Sequence, residues 1–224
     1  MTRGLWSRAT LTFGVLTLLI VFAFSLLPAV RAAHFAQGDF TSALGAFQRA
    51  STQADLDAVF GKPADPAILA AMTAGNTLDL YGFIPAYTLF LACGIVMLAP
   101  NFLGIQTALP LLALASAADV VETWSQLAIT TDYAHADAHL PIAVWCWLKF
   151  LGLGIVAVTI AVLAFQRKRY ILTALNALPF PAALAAINGL VPSQIMSLAF
   201  TGAWVSLLLA AALDALRKDQ TAPA

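Results

Sequence analysis

Long apolar runs separated by short polar stretches set the pattern of this 224-residue chain. A helix needs roughly 20 apolar residues to cross a bilayer. Six stretches reach or approach that length: 9–30, 78–99, 102–129, 140–165, 171–190 and 193–216. The first holds no charge. The fifth is the most interrupted, with Asn176, Pro179, Pro181 and Asn188. The sixth opens cleanly, because Pro192 and Ser193 occupy helix-start positions. The pattern predicts an all-α fold, a polytopic integral membrane helix bundle of about six transmembrane helices forming a single transmembrane domain over 1–224.

The first run also resembles a signal peptide, with a basic start and the passable cleavage site Val30-Arg31-Ala32. Its apolar length of about 20 residues exceeds the usual signal core of about 7–15. A retained helix is therefore expected.

Between the first two spans, the external segment 32–77 is amphipathic. Phe40, Leu44 and Phe47 recur at helical spacing, followed by Leu56, Val59 and Phe60, with Gly61-Lys62-Pro63 closing the second run. Such short helices cap a bundle or lie on a membrane. A cap over the outer mouth is expected here, with a lid or substrate-entry element as the alternative. Asp65-Pro66 starts a further helix, which either continues into the second span or breaks at Gly75-Asn76.

Composition agrees with the pattern. Hydrophobic residues make up 61% of the chain and charged residues 10%, against about 25% charged in soluble domains. The formal net charge is zero, so no electrostatic basis exists for nucleic-acid binding. The expected partners are the lipid bilayer, a small-molecule, cation or lipid ligand, and another membrane protein. With the N-terminus inside, Arg3, Arg8, Arg167, Lys168, Arg169, Arg217 and Lys218 fall on the inner side. Arg31, Arg49 and Lys62 fall on the outer side. Basic residues favour the cytoplasmic side, which predicts cytoplasmic termini and placement in a cell inner membrane of bacterial type. The cysteines, Cys93 and Cys146, lie in apolar runs and read as buried thiols.

The candidate chemistry lies where charge enters the apolar runs. Intramembrane charges are costly and tend to be paired, inward-facing and functional. In the third span, Ser116, Asp119, Thr123 and Gln126 recur at helical spacing, with Glu122 on the adjoining edge. At about 1.5 Å per residue, Asp119 lies some 15 Å from the outer end of its helix and Glu122 some 10 Å. Lys149 lies about 13–14 Å into the fourth span. The antiparallel arrangement of those two spans predicts an ion pair between Lys149 and Asp119 or Glu122. Tyr87, about 13 Å into the second span, is placed to hydrogen-bond the cluster, and Asp79 lies nearer the interface. With two carboxylates against one ammonium, either one acid holds a proton at neutral pH or a second cation completes the site.

The sequence names no cofactor and predicts no metal site, with His135 and His139 the weak candidates. His135 and His139 would share a face on an α-helix, but Asp137 would then point away and Pro141 follows at once. No GxSxG, HExxH, Walker A or GxGxxG motif is present. The expected function is small-ligand, proton or cation binding or transport. The alternatives are a membrane-embedded enzyme acting on a lipid or isoprenoid, and a non-catalytic subunit of a membrane complex.

Overall fold

The computed structural model describes residues 3–99 and 102–219. Every regular element among them is helical. The α-helices are α1 (Arg3–Phe24), α2 (Pro28–Ala32), α3 (Phe40–Gln48), α4 (Gln53–Phe60), α5 (Pro66–Leu78), α6 (Ile84–Leu98), α7 (Phe102–Thr131), α8 (Ala143–Gln166), α9 (Tyr170–Asn176), α10 (Pro179–Ile187) and α11 (Ser193–Asp219). A π-helical turn, Asp79–Phe83, joins α5 to α6, and a 3-10 turn, Tyr133–His139, follows α7. Six helical stretches are long and apolar enough to cross a membrane: Gly4–Ala32, Pro66–Leu98, Gly104–Thr131, Ala143–Gln166, Tyr170–Ile187 and Ser193–Leu216. The chain is a multi-pass, all-α membrane protein. Large apolar side chains such as Leu19, Phe22, Leu114, Val162, Phe165 and Leu198 are exposed along these stretches, as lipid contact requires and water contact would not favour. Of the basic residues used to orient the chain, the side chains of Arg3, Arg217 and Lys218 lie outside the described residues.

The second span starts twelve residues earlier than the hydrophobic pattern suggests, at Pro66 rather than Leu78. Asp65 caps it, its Oδ1 accepting from Ala67 N at 2.7 Å. Gly75 and Asn76 do not break it. The departure from regular geometry comes instead before Pro85, which has no N–H for Tyr81 and whose ring crowds that carbonyl. The turn widens, and the Ile84 N–H bonds to Asp79 O, five residues back. In the fifth span, Pro179 and Pro181 divide the segment into α9 and α10, as expected of residues that cannot donate the helical bond.

By contacts the chain falls into two compact units. One comprises Met1–Thr17, Ala86–Ser116 and Lys149–Ala224; the other comprises Leu18–Pro85 and Ala117–Leu148. The first unit packs through small and aromatic residues. A Cβ on Gly14 would stand 2.6 Å from Leu208, and one on Gly94 would stand 2.7 Å from Leu207, so both glycines permit close helix approach. Trp204 packs on Tyr87 and Phe90, with centroids 5.3 and 6.3 Å apart. The Arg167 guanidinium donates to the Leu98 and Ala99 carbonyls at 3.1 Å each. It thereby serves the unsatisfied end of α6 and its negative dipole. Arg169 Nη2 lies 2.7 Å from each oxygen of Asp214.

In the second unit, α3 and α4 form a folded cap. Asp39 caps α3 by accepting from Ser42 N, and Thr52 and Asp55 form a reciprocal capping box at the start of α4. Phe47, Leu56, Val59 and Phe60 bury their side chains in one cluster with Ile68, Met72, Ile129 and Ile142. The cap thus packs on the ends of α5 and α7 and on the start of the fourth span. Ile142 and Ala143 N–H groups both donate to Ala50 O, at 3.0 and 3.2 Å. Tyr133 belongs to this cap. Its ring meets Phe60 at 5.4 Å and its hydroxyl donates to Asp57 Oδ1 at 3.4 Å.

Candidate functional site

The polar stripe of α7 faces inward. Asp119 is 3% exposed and Glu122 is fully buried, and Thr123 and Gln126 are buried beside them. Two hydrogen bonds organise the stripe within the second unit. Thr123 Oγ1 donates to Asp79 Oδ2 at 2.9 Å, linking α7 to the π turn. Gln126 Nε2 donates to Glu122 Oε1 at 3.0 Å, one turn along the same helix. Asp79, Glu122 and Gln126, all candidates from the sequence, therefore each have a specific partner on α7. Asp79 acquires its place because the widened turn holds it at the junction of α5 and α6. Single π turns of this kind recur at functional sites.

In the first unit, Lys149 is 5% exposed and its Nζ lies 4.8 Å from the centroid of the neighbouring Phe150 ring. Tyr87 is fully buried against Trp204. Ser116 meets the Thr88 hydroxyl at 2.8 Å, continuing the polar edge of α7 toward α6.

Asn76 was legible only as a possible break in the helix. It is 1% exposed, and its Nδ2 has no hydrogen-bond partner among the described residues. Leaving a buried donor unbonded costs about 1–3 kcal/mol. The spacing of Met72, Asn76 and Asp79, at i, i+4 and i+7, is the sequence signal that would have placed it on one face with the acid. Met72 shares the buried cluster of Ile129, and Asp79 reaches Thr123. Asn76 therefore lies on the same face of its helix as these two residues.

The histidine segment is wound as a 3-10 turn with a kink at His135, not as an α-helix. In that winding, residues at i and i+4 diverge, so His135 and His139 do not share a face. His135 Nδ1 instead meets Asp132 Oδ2 at 2.9 Å on the surface. That bond and the charge of Asp132 hold the imidazole above its ordinary pKa. Among the described residues, no group of three His, Cys, Asp or Glu side chains is arranged to hold a metal ion.

An open groove of about 510 Å³ runs beside the π turn, lined by Leu27, Ala74, Thr77, Leu78, Tyr81 and Gly82. Its walls are apolar apart from the Thr77 and Tyr81 hydroxyls.

No protein-family model, no curated protein and no solved structure matches this chain.

Proposed function

We propose that the chain binds and moves a proton or a small cation through the carboxylates of α7 and the π turn, with Asp119 and Glu122 as the binding groups. The observation that carries this reading is the full burial of Glu122 within a spanning helix, hydrogen-bonded by Gln126. A carboxylate taken out of water favours its neutral form or a nearby positive charge, so a buried acid in a spanning helix reads as a proton- or cation-binding group. Asp79 and Thr123 position the neighbouring helix against it. The proposal places the protein in a bacterial inner membrane with both termini cytoplasmic, so that the capped end faces outward.

Binding is tested by thermal unfolding of the purified protein in detergent across pH and in Na⁺, K⁺, Li⁺ or a small amine. A ligand that binds only the folded state raises the unfolding temperature by mass action. The wild type is expected to respond to pH or to one of these cations, and Asp119→Asn/Glu122→Gln is expected to lose that response. Equal responses in the two proteins contradict the reading.

The apolar groove beside Tyr81 favours a second reading, in which the ligand is a lipid or isoprenoid chain. Gly82→Phe would fill this groove. A lipid that co-purifies with the wild type and is lost from this variant supports the second reading, and unchanged lipid content in the variant counts against it.

A further inference from the structure

We infer that Asn76 completes the carboxylate site, and that the site takes a proton carried through water rather than a bare metal cation. This deepens the proposed reading and rests on it.

Three features converge on Asn76. It is buried and its Nδ2 is unbonded among the described residues. It lies one turn from Asp79 on the same face of its helix, and Asp79 bonds to Thr123 of α7. Buried polar groups of this kind are commonly satisfied by a water molecule that makes two to four hydrogen bonds. A water in that position would link the Asn76 amide to the carboxylate site.

The chemistry of the surrounding groups selects the ligand. Thr123 and Gln126 both donate to carboxylate oxygens, and Asn76 offers a further donor. A sodium- or potassium-sized ion needs a shell of several free oxygen acceptors. Side chains that donate into the carboxylates compete with such an ion for the same lone pairs. A proton needs only one carboxylate oxygen and a hydrogen-bonded path. The ionisable side chains in the spanning parts of this unit are Arg31, Asp79, Tyr81, Asp119, Glu122 and Cys146. Arg31 and Tyr81 are exposed and Cys146 is a buried thiol, neutral near pH 7 by its ordinary pKa of about 8.5, which leaves the three carboxylates as the proton-exchanging groups on this path.

The test is the pH titration of the carboxyl C=O stretch by infrared difference spectroscopy of the purified full-length protein. The band is assigned by its loss in Glu122→Gln or Asp119→Asn. In wild type it should titrate and be unmoved by Na⁺. Asn76→Leu removes the unbonded amide at similar volume, so folding should be retained. Without the water-bridged donor, the anion is less stabilised, and proton affinity should rise about tenfold. Asn76→Ser, which keeps a donor, should stay near wild type and guards against a merely steric effect of leucine. A midpoint unchanged in Asn76→Leu, or shifted equally in Asn76→Ser, overturns the role of Asn76. A band that moves with Na⁺ at constant pH overturns the choice of proton over metal and leaves the carboxylate site standing. A wild-type protein with no titrating band overturns the site itself.

Discussion

Thr123 donates its hydroxyl proton to Asp79 across 2.9 Å, joining the middle of α7 to the π turn that precedes Pro85. This bond sets the register between the two helices. A one-turn slip would move Glu122 and Gln126 by about 5.4 Å and separate the polar groups of one helix from those of the other.

Replacing Thr123 with valine keeps the shape and removes the donor. The expected loss is about 1–3 kcal/mol, read as a lower unfolding temperature in detergent. Asp79→Asn should reduce the effect of Thr123→Val in a double-mutant cycle. Strictly additive losses would mean that the hydrogen bond does not hold the pair.

The cap is a packing unit, and its central ring is Phe60. Fully buried and edge-on to both Phe47 (4.9 Å) and Tyr133 (5.4 Å), it should cost about 3–5 kcal/mol when cut to alanine. Limited proteolysis between Ala50 and Pro66 should become faster in Phe60→Ala. Proteolysis at the wild-type rate would show that the cap does not depend on this cluster.

The acid response of the cap follows from its caps. Backbone hydrogen bonds from Ser42 and Ser51 hold Asp39 and Asp55 below the ordinary carboxylate range, and the Gln53 amide, helped by Lys62, does the same for Asp57. Groups with depressed folded-state values add stability above their unfolded value of about 3.9 and lose it as pH falls through the folded value. His135 runs the other way. Its raised value adds stability that is fully present below about pH 6.5 and lost as pH rises through the folded value. Hydrogen exchange in α3 and α4 should therefore stay slow from neutral pH down to about pH 5 and accelerate below about pH 4. Exchange independent of pH in that range, once corrected for intrinsic rates, would remove the caps from the account.

Lys149 is a buried ammonium, and the ion pair read from the sequence makes a separate prediction. Lys149→Met alone should destabilise the protein by about 3–5 kcal/mol, because a buried acid would lose its counter-charge. Combining it with Asp119→Asn or Glu122→Gln should recover part of that loss. No recovery with either acid would sink the ion-pair expectation.

The spans and the α7 stripe were legible because period and composition are local properties of the chain. The bond from Gln126 to Glu122 is also local, at i and i+4 on one helix. The Asp65–Pro66 cap carries the second span back to Pro66, so Asp79 lies inside that helical stretch rather than at its start. Local propensity leaves open whether the helix breaks at Gly75-Asn76, and the helix runs through both residues. The Arg169–Asp214 pair joins residues 45 apart in the chain, and no spacing rule reaches across such a distance. The spacing of His135 and His139 has meaning only on an α-helix, and the segment before Pro141 is a 3-10 turn.

Proton flux is the most direct measure of the central claim. Purified protein is reconstituted in liposomes that hold a pH-sensitive dye, and a potassium diffusion potential is imposed. The account predicts dye acidification with wild type, near-complete loss with Glu122→Gln, and wild-type flux with Asp39→Asn, a cap residue remote in sequence from α7. Flux in Glu122→Gln equal to wild type would contradict the account, as would wild-type liposomes no leakier than empty ones under every cation gradient applied.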